Sequence, residues 1–137
     1  MIVADTGAIV ALVDKDDAHH EPLVALFRED PDRWLLPWAI LPEVDYLLAT
    51  YVGIEAERAF FSDLANGSLR TDWGASDDLR RAEELNRRYR DLKLGLVDTI
   101  VMAIAERIRA DAIATIDVRH FGAVALEGAP RLLPRDL

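Results

Sequence analysis

The stretch MIVADTGAIVALVD, residues 1–14, joins a very short apolar run to a longer one with helical character. Residues 2–4 predict a buried strand that ends at Asp5. Residues 8–13 predict a short helix, and Gly7 has the conformational freedom that a sharp strand-to-helix turn would need. The chain therefore opens as a β-α unit with an acidic residue at the end of its strand.

The same alternation continues to the end of the chain. The remaining predicted strands are residues 34–36, 69–73, 112–116 and 131–133, and the remaining predicted helices are residues 18–29, 39–52, 55–65, 77–90 and 96–109. Short apolar strands that alternate with helices indicate a parallel sheet covered on both faces. We therefore expect a three-layer α/β/α fold with about five strands, in one domain that spans residues 1–137.

Two of these helices carry more specific expectations. Tyr51 falls on the apolar face of the helix at 39–52 and is expected to be buried. Ser76 is the expected N-cap of the helix at 77–90, and Asp78 in the first turn of that helix is expected to face solvent.

Composition excludes several classes of protein. Of the 137 residues, 51% are apolar, which is enough to form a core without disulfides. The absence of cysteine excludes disulfides, thiolate metal sites and cysteine nucleophiles. The N-terminus has no basic segment before its apolar run, and no apolar stretch approaches the roughly 20 residues of a membrane span. These features predict a cytoplasmic protein without a membrane partner.

The net charge of −9 bears on the choice of partners. Taken alone, an acidic balance argues against a broad nonspecific surface for nucleic acid. Carboxylates that hold cations contribute to this formal charge, however, and bound cations invert the local field. The positions of the acids are therefore more informative than their sum.

Four acidic residues differ from the rest because their neighbours are apolar. Asp5 and Asp117 each end a predicted apolar strand, whereas Glu43 and Asp98 lie in the first turns of predicted helices. Helices that follow the strands of a parallel sheet begin at its carboxyl edge, where ligands bind. Asp98 reaches this edge if the connection after the third predicted strand returns to it. We therefore expect the four carboxylates to converge.

Converging carboxylates in a half-buried place raise one another's pKa, and divalent cations relieve this repulsion. Oxygen ligands suit Mg²⁺ or Mn²⁺, which can activate water and stabilise negative charge on a phosphodiester. For each acid alone, a helix cap or a solvated strand end is the simpler interpretation. All four together favour a cation site.

Four short motifs, in this order and at these spacings, resemble those of the PIN-domain ribonucleases. They are Asp5-Thr6 after the first strand, Glu43 in an early helix, Val97-Asp98-Thr99-Ile100, and Thr115-Ile116-Asp117-Val118-Arg119-His120-Phe121. The chain length and the motif order are most similar to the VapC-type toxins of bacterial toxin–antitoxin pairs. The resemblance extends over essentially the whole chain.

This resemblance implies a five-stranded parallel sheet and an endoribonuclease that depends on Mg²⁺ or Mn²⁺. It assigns both the catalytic role and metal binding to Asp5, Glu43, Asp98 and Asp117. Asp5 and Asp98 match the most regular ligand positions. Asp117 matches a position that often contacts the metal ligands instead of the ion, or binds a second ion. Thr6 and Thr115 match hydroxyl positions that hydrogen-bond a carboxylate or a coordinated water molecule.

The resemblance also implies protein partners. A small antitoxin protein is expected to bind the chain, and the family usually forms homodimers. Antitoxins resemble short peptides that place helices along a groove. The exposed part of residues 35–51, together with Phe60 and Phe61, is the predicted antitoxin surface.

A basic segment lies just before Asp98. The residues expected to contact RNA phosphates are Arg87, Arg88, Arg90 and Lys93 in this segment, and Arg119 next to Asp117. Arg80 and Arg81 belong to the same segment, but Glu83 and Glu84 neutralise part of it. A salt-bridged, solvated helix face is therefore the alternative interpretation.

Other functions also fit parts of this sequence. The triplet Asp5-Thr6-Gly7 also occurs in aspartic proteases, but those resemble small β-rich dimers, and this chain is mostly helical by pattern. A phosphatase-like or receiver-like phosphoryl-transfer domain, or a non-catalytic domain with an acidic cation pocket, also fits an acidic α/β edge. Asp45 is a competing acid, and His19 and His20 are expected to be surface residues.

Overall fold

The computed structural model describes residues 1–137 and contains five strands and seven α-helices. The strands are β1 Ile2–Ala4, β2 Trp34–Pro37, β3 Arg70–Asp72, β4 Ala112–Ala114 and β5 Arg131–Leu133. The helices are α1 Thr6–Val13, α2 His20–Glu29, α3 Leu41–Leu47, α4 Ile54–Ala65, α5 Ser76–Arg88, α6 Leu96–Arg107 and α7 Val118–Phe121. No helix is long and apolar enough to cross a membrane.

All five strands are parallel and lie in the order β3-β2-β1-β4-β5, which confirms the predicted three-layer α/β/α fold. The central strand β1 pairs with β2 on one side, where Ile2 is opposite Trp34, and with β4 on the other, where Ile2 is opposite Ala112. The chain order runs outwards in opposite directions from β1. The crevice at the carboxyl ends of β1 and β4 is therefore a topological switch point.

A continuous core of 32 buried apolar residues lies between the sheet and its helices. The middle of helix α6 is buried on all sides, since no residue from 99 to 105 is more than 2% exposed. This burial matches the unbroken apolar run at residues 100–105, because a helical segment that is apolar all round belongs in a core. Packing of α6 against β1 and β2 holds its first turn, which carries Asp98, at a defined place.

The predicted helix at 39–52 is not a single α-helix. Residues 38–40 form a 3₁₀ turn, α3 follows, and residues 48–52 form a π-turn that ends at Gly53. A π-turn adds one residue to the helical turn and shifts the face that follows it. The expectation that Tyr51 is buried is therefore wrong, since its exposed fraction is 74%.

The start of α5 also differs from the prediction. Ser76 is the first helical residue, and Ala75 occupies the N-cap position. The carboxylate of Asp78 accepts a hydrogen bond from the Ala75 amide at 2.8 Å and replaces the missing cap. Asp78 is buried, with an exposed fraction of 3%, so the expectation that it faces solvent is wrong.

Gly7 has a different purpose from the one expected. It lies inside α1 with ordinary helical backbone, so conformational freedom is not what the position requires. A Cβ atom at residue 7 would lie 2.9 Å from Cγ1 of Ile116, which is closer than real Cβ contacts come. Glycine is needed because the segment after β4 packs directly on the start of α1.

Candidate metal centre

Asp5 directly follows β1 and occupies the carboxyl edge of the sheet. Its Oδ1 accepts a hydrogen bond from the Thr6 amide at 2.8 Å, and its Oδ2 accepts one from the Thr115 hydroxyl at 3.0 Å. The residue is only 5% exposed. Burial raises the pKa of Asp5 to about 7, with a further contribution from the charge of Asp98, although the two hydrogen bonds oppose the rise.

Asp98 and Asp117 lie next to each other at the same edge, together with His120. The three side chains offer ligand atoms that all lie within 4.8 Å of one another. Nδ1 of His120 is 2.8 Å from Oδ2 of Asp117 and 3.7 Å from Oδ2 of Asp98. Burial raises the pKa of Asp98, and the charge of Asp117 raises it further, whereas His120 lowers it.

Glu43 lies in the first turn of α3 at the rim of the cluster. Its side chain is exposed, yet its charge contributes to the raised pKa of Asp98, so the two carboxylates interact. The four predicted acids are therefore linked through the raised pKa values of Asp5 and Asp98, but only Asp98 and Asp117, with His120, form a group whose ligand atoms all lie within 4.8 Å of one another. Asp5 is the buried member of the four acids, and Glu43 is the exposed one.

The two predicted hydroxyl residues have different surroundings. Thr115 donates to Asp5 and accepts a hydrogen bond from the Asp117 amide at 3.0 Å, so its hydroxyl connects two of the acids. The hydroxyl of Thr6 is buried and has no hydrogen-bond partner in the protein. A buried polar atom without a partner beside an acidic cluster is compatible with water or a coordinated ligand.

The composition of this cluster fits a divalent cation. No lysine or arginine forms an ion pair with Asp5, Glu43, Asp98 or Asp117, and His120 is the only basic group among them. The ligand atoms on offer are mostly carboxylate oxygens, which suit Mg²⁺ and Mn²⁺, and one imidazole nitrogen is compatible with Mn²⁺.

A family model described as the PIN domain matches residues 2–126. The chain belongs to the PIN-domain family. The triplet Asp5-Thr6-Gly7 is thus a strand-to-helix junction of a parallel PIN-domain sheet. A β-rich aspartic protease does not agree with this fold.

Relatives of this PIN domain include ribonuclease VapC26 from Mycobacterium tuberculosis, which is 29% identical over 130 residues that cover 95% of this chain and 96% of the relative. The crystal structure of VapC20 from the same species, described as a sarcin–ricin loop cleaving toxin, has a TM-score of 0.77 at 22% identity and covers 90% of this chain and 97% of VapC20. A DNA-bound VapBC structure from Salmonella typhimurium has a TM-score of 0.71 at 16% identity, with coverage of 96% and 95%. At these identities the two structures show the shared fold.

His120 is the site residue that the sequence analysis of this PIN domain missed. It stands in the last motif, but the motif by itself gives this histidine no role. Its imidazole and its backbone amide both contact Asp117, at 2.8 Å and 3.1 Å. The spacing of three residues across the first turn of α7 was the available signal, because residues i and i+3 share one helix face.

The predicted phosphate-binding residues fall into two groups. Arg90, Lys93 and Arg119 are exposed and form no ion pair. Arg87 pairs with Glu83 at 3.2 Å, in agreement with the salt-bridge alternative for that position. The guanidinium of Arg88 lies 5.7 Å from the ring centroid of its neighbour, Tyr89.

Three other candidate ligands stand apart from the cluster. His19 is exposed and contacts Asp17, as expected of a surface residue. His20 is half-buried, because its Nδ1 lies 2.9 Å from the carbonyl oxygen of Ala11. Asp45 lies beside Glu57, whose pKa is raised by desolvation and by Asp45, so this residue belongs to a different surface.

Proposed function

We propose that this PIN domain is an endoribonuclease that depends on Mg²⁺ or Mn²⁺ and acts as the toxin of a toxin–antitoxin pair. The observation that carries the proposal is the group of four carboxylates at one sheet edge with no lysine or arginine partner. The names of the relatives, a ribonuclease and a loop-cleaving toxin, support RNA as the substrate. A single nuclease domain over residues 1–137 and a cytoplasmic location are parts of this proposal.

Asp5 and Asp98 are the proposed principal metal ligands, and Asp117 and Glu43 complete the acidic group. A bound cation would place positive charge beside the scissile phosphate and lower the pKa of an attacking water molecule. The raised pKa of Asp5 supports this assignment, because a carboxyl that is costly to ionise gains most from a cation.

The neighbouring side chains are proposed to hold the acids in place. Thr115 keeps the carboxylate of Asp5 oriented through its 3.0 Å hydrogen bond. His120 fixes the rotamer of Asp117 through its 2.8 Å contact. Such partners of metal ligands commonly change affinity or activity by about 10- to 100-fold when removed.

RNA is proposed to approach over the exposed basic side chains near the acids. Arg90, Lys93 and Arg119 are free to contact phosphates, whereas Arg87 and Arg88 contribute after leaving their present neighbours. Phosphate contacts position the strand without reading its sequence. The target RNA is therefore selected by other features, such as RNA shape.

An antitoxin is the proposed occupant of an apolar groove between α3 and α4. The groove has a volume of about 440 Å³, and its apolar lining residues are Leu41, Pro42, Phe60, Phe61, Leu64, Ala65 and Trp73. Phe61 and Trp73 are 63% and 76% exposed, which is unusual for such large apolar side chains. The VapBC complex among the structural relatives supports a protein partner.

A homodimer is also proposed, and a light-scattering mass equal to one chain would contradict it.

The experiment is incubation of the purified chain with total RNA in Mg²⁺ or Mn²⁺, beside an Asp98→Ala variant and an Asp77→Asn control. Asp77 is an exposed acid on α5 that pairs only with Arg80, at 3.4 Å. We expect cleavage by the wild type and by Asp77→Asn, and none by Asp98→Ala. RNA left intact by the wild type in both metals, or cleavage that persists in chelator, contradicts the proposal.

A further inference from the structure

A second cleft lies at the opposite edge of the sheet, where β2, β4 and β5 begin. Its volume is about 550 Å³. The charged residues that line it are Arg33, Glu106, Arg109, Asp111, Glu127 and Arg131. They come from separate parts of the chain, and the metal centre occupies the other end of the same strands.

The acids of this cleft are largely neutralised by partners of their own. Asp111 accepts hydrogen bonds from the Met1 amino group at 2.6 Å and from Arg33 at 3.3 Å. Both oxygens of Glu106 are bound by Arg81, at 2.6 Å and 3.0 Å.

Two arginines of the cleft, Arg109 and Arg131, are exposed and form no direct ion pair, although the charge of Arg131 contributes, after Arg135, to the lowered pKa of Asp136. Glu127 also forms no direct ion pair, and its charge contributes, after Glu106, to the raised pKa of Arg81. The chain has 25 acidic and 16 basic residues, so it is not short of carboxylates to pair with them. Two unpaired guanidinium groups in one cleft of an acidic protein indicate an anionic ligand.

The backbone at Arg109 supports the same conclusion. Its φ of 52° is left-handed, and the amides of Arg109 and Ala110 bond back to the carbonyl oxygens of Glu106 and Ala105 at 3.1 Å and 3.0 Å. This closing pattern of a helix favours glycine at the left-handed position. An arginine is conformationally unfavourable at this position, so we infer that its side chain has a role other than helix termination.

We propose that this cleft binds a ligand with adjacent phosphate groups, held mainly by Arg109 and Arg131 with Arg33 beside them. Guanidinium groups match phosphate oxygens with paired hydrogen bonds. No aromatic residue lines the cleft, so it offers phosphate contacts without a surface for base stacking. The phosphates come either from RNA or from a free polyphosphate. Only the RNA source depends on the proposed ribonuclease function.

The first test uses tripolyphosphate as the probe and isothermal titration calorimetry of the full chain at low salt. Arg109→Gly removes the guanidinium and supplies the residue that the backbone prefers, so we expect weaker binding without loss of thermal stability. Each of Arg109→Gly and Arg131→Ala should weaken binding by roughly tenfold, as expected for a charge-assisted hydrogen bond. Glu127→Gln should strengthen it severalfold because it removes the unpaired negative charge.

Arg58→Ala is the matched control, because Arg58 is an exposed arginine that pairs with Glu55 on α4. This variant should bind tripolyphosphate as the wild type does. Equal tripolyphosphate affinities for the wild type and the Arg109→Gly/Arg131→Ala double variant, together with equal RNA affinities in the second test, overturn the proposal.

The second test measures the affinity of a single-stranded RNA oligomer in the Asp98→Ala background, which separates binding from cleavage. If RNA is the source, the Arg109→Gly/Arg131→Ala change weakens binding and lowers the salt slope by about 0.7 for each lost contact. If the double change weakens the binding of tripolyphosphate but not of RNA, the ligand of the cleft is a free polyphosphate. Because binding is the readout in both tests, a wild type without ribonuclease activity would refute the proposed function but would not affect the proposal that the cleft binds phosphates.

Discussion

Asp5 and Asp78 are two buried aspartates of the same domain, with exposed fractions of 5% and 3%, and they differ in their partners. Asp78 accepts hydrogen bonds from the Arg107 guanidinium at 2.9 Å and from the Ala75 amide at 2.8 Å. Asp5 accepts hydrogen bonds only from the Thr6 amide and the Thr115 hydroxyl. Burial alone therefore does not distinguish a structural acid from a functional one, whereas the presence of a cation from the same chain does.

The surroundings of these two aspartates extend the contrast. Near Asp78, Arg107 also binds Asp72 at 2.6 Å, and Arg81 binds Glu106. Burial raises the pKa of Glu106, but the hydrogen bond from Arg81 outweighs this effect and holds the pKa below its ordinary value. Near Asp5, burial and then the charges of Asp98 and Asp117 raise the pKa of Asp5 instead. In the first network every acid contacts an arginine of the same chain, whereas the acids around Asp5 have no such partner and are left to be neutralised by a cation from outside.

The largest expected effect comes from Asp5→Asn. The variant should lose RNA cleavage on the order of a thousandfold, the scale seen when a group that stabilises transition-state charge is removed. The fold should survive, because the asparagine oxygen keeps the Thr6 bond and its amide can donate to the Thr115 hydroxyl. Single-turnover cleavage and circular dichroism measure the two outcomes. Cleavage by the variant at a rate close to that of the wild type would show that Asp5 is not part of the catalytic metal centre.

Stability of the metal-free chain should depend on pH through Asp5. Its pKa is about 7 in the folded protein and 3.8 ordinarily, so the folded state binds more protons between these values. The free energy of unfolding should therefore fall by at most about 4 kcal/mol as the pH rises from about 4 to 7, and it should then level off. Urea unfolding in chelator at several pH values measures this slope. Asp5→Asn should flatten it, and parallel wild-type and variant curves would contradict the assigned cause.

Arg107→Ala tests the opposite side of the comparison. Removing the guanidinium leaves Asp78 buried without its cation and should cost about 2 kcal/mol of stability, below the full penalty for a buried pair because Arg107 is 34% exposed. RNA cleavage at a temperature well below unfolding should stay near that of the wild type. A large loss of cleavage without loss of stability would mean that the two networks are functionally coupled.

His120→Gln should have a smaller effect. Loss of the imidazole releases one oxygen of Asp117 and is expected to weaken Mn²⁺ affinity about tenfold, as for other partners of metal ligands. Equilibrium titration of Mn²⁺ by electron paramagnetic resonance measures the change. His19→Gln is the control, since His19 is exposed and outside the cluster. Equal effects of the two substitutions would exclude a specific role for His120.

The smallest expected effect is that of Lys93→Ala. A single exposed phosphate contact should change RNA affinity severalfold and lower the salt slope by about 0.7. Fluorescence anisotropy in the Asp98→Ala background, at several salt concentrations, measures both quantities. Arg58→Ala should change neither. A shift of affinity without a change of slope would mean that Lys93 does not contact a phosphate.

Sequence patterns predict the features that depend on local order. Asp5 at a strand end and Asp98 in the first turn of an apolar helix follow from the alternation of apolar runs, and so does their common edge. Features that depend on distant partners are not visible locally. Asp78 resembles an ordinary acid at a helix start because its partner, Arg107, lies 29 residues away.

Local geometry limits the prediction in a similar way. The π-turn that exposes Tyr51 is not predicted by the apolar spacing, which places Tyr51 on the same helical face as Val44 and Leu48. His120 joins the cluster only because α7 begins immediately after Asp117 and turns the imidazole back towards the acids. The π-turn is backbone detail that a pattern of residue types does not encode, whereas the three-residue spacing of Asp117 and His120 is visible in the sequence but is informative only if a helix is known to begin there.

Calorimetric titration with Mn²⁺ tests most directly whether the unpaired acids form a cation site. The wild type and Asp77→Asn should bind Mn²⁺ with equal affinity, and Asp98→Ala should not bind measurably. Bound Mn²⁺ should also abolish the loss of stability between pH 4 and 7, because it neutralises the group around Asp5. Equal Mn²⁺ binding by the wild type and Asp98→Ala would contradict the account.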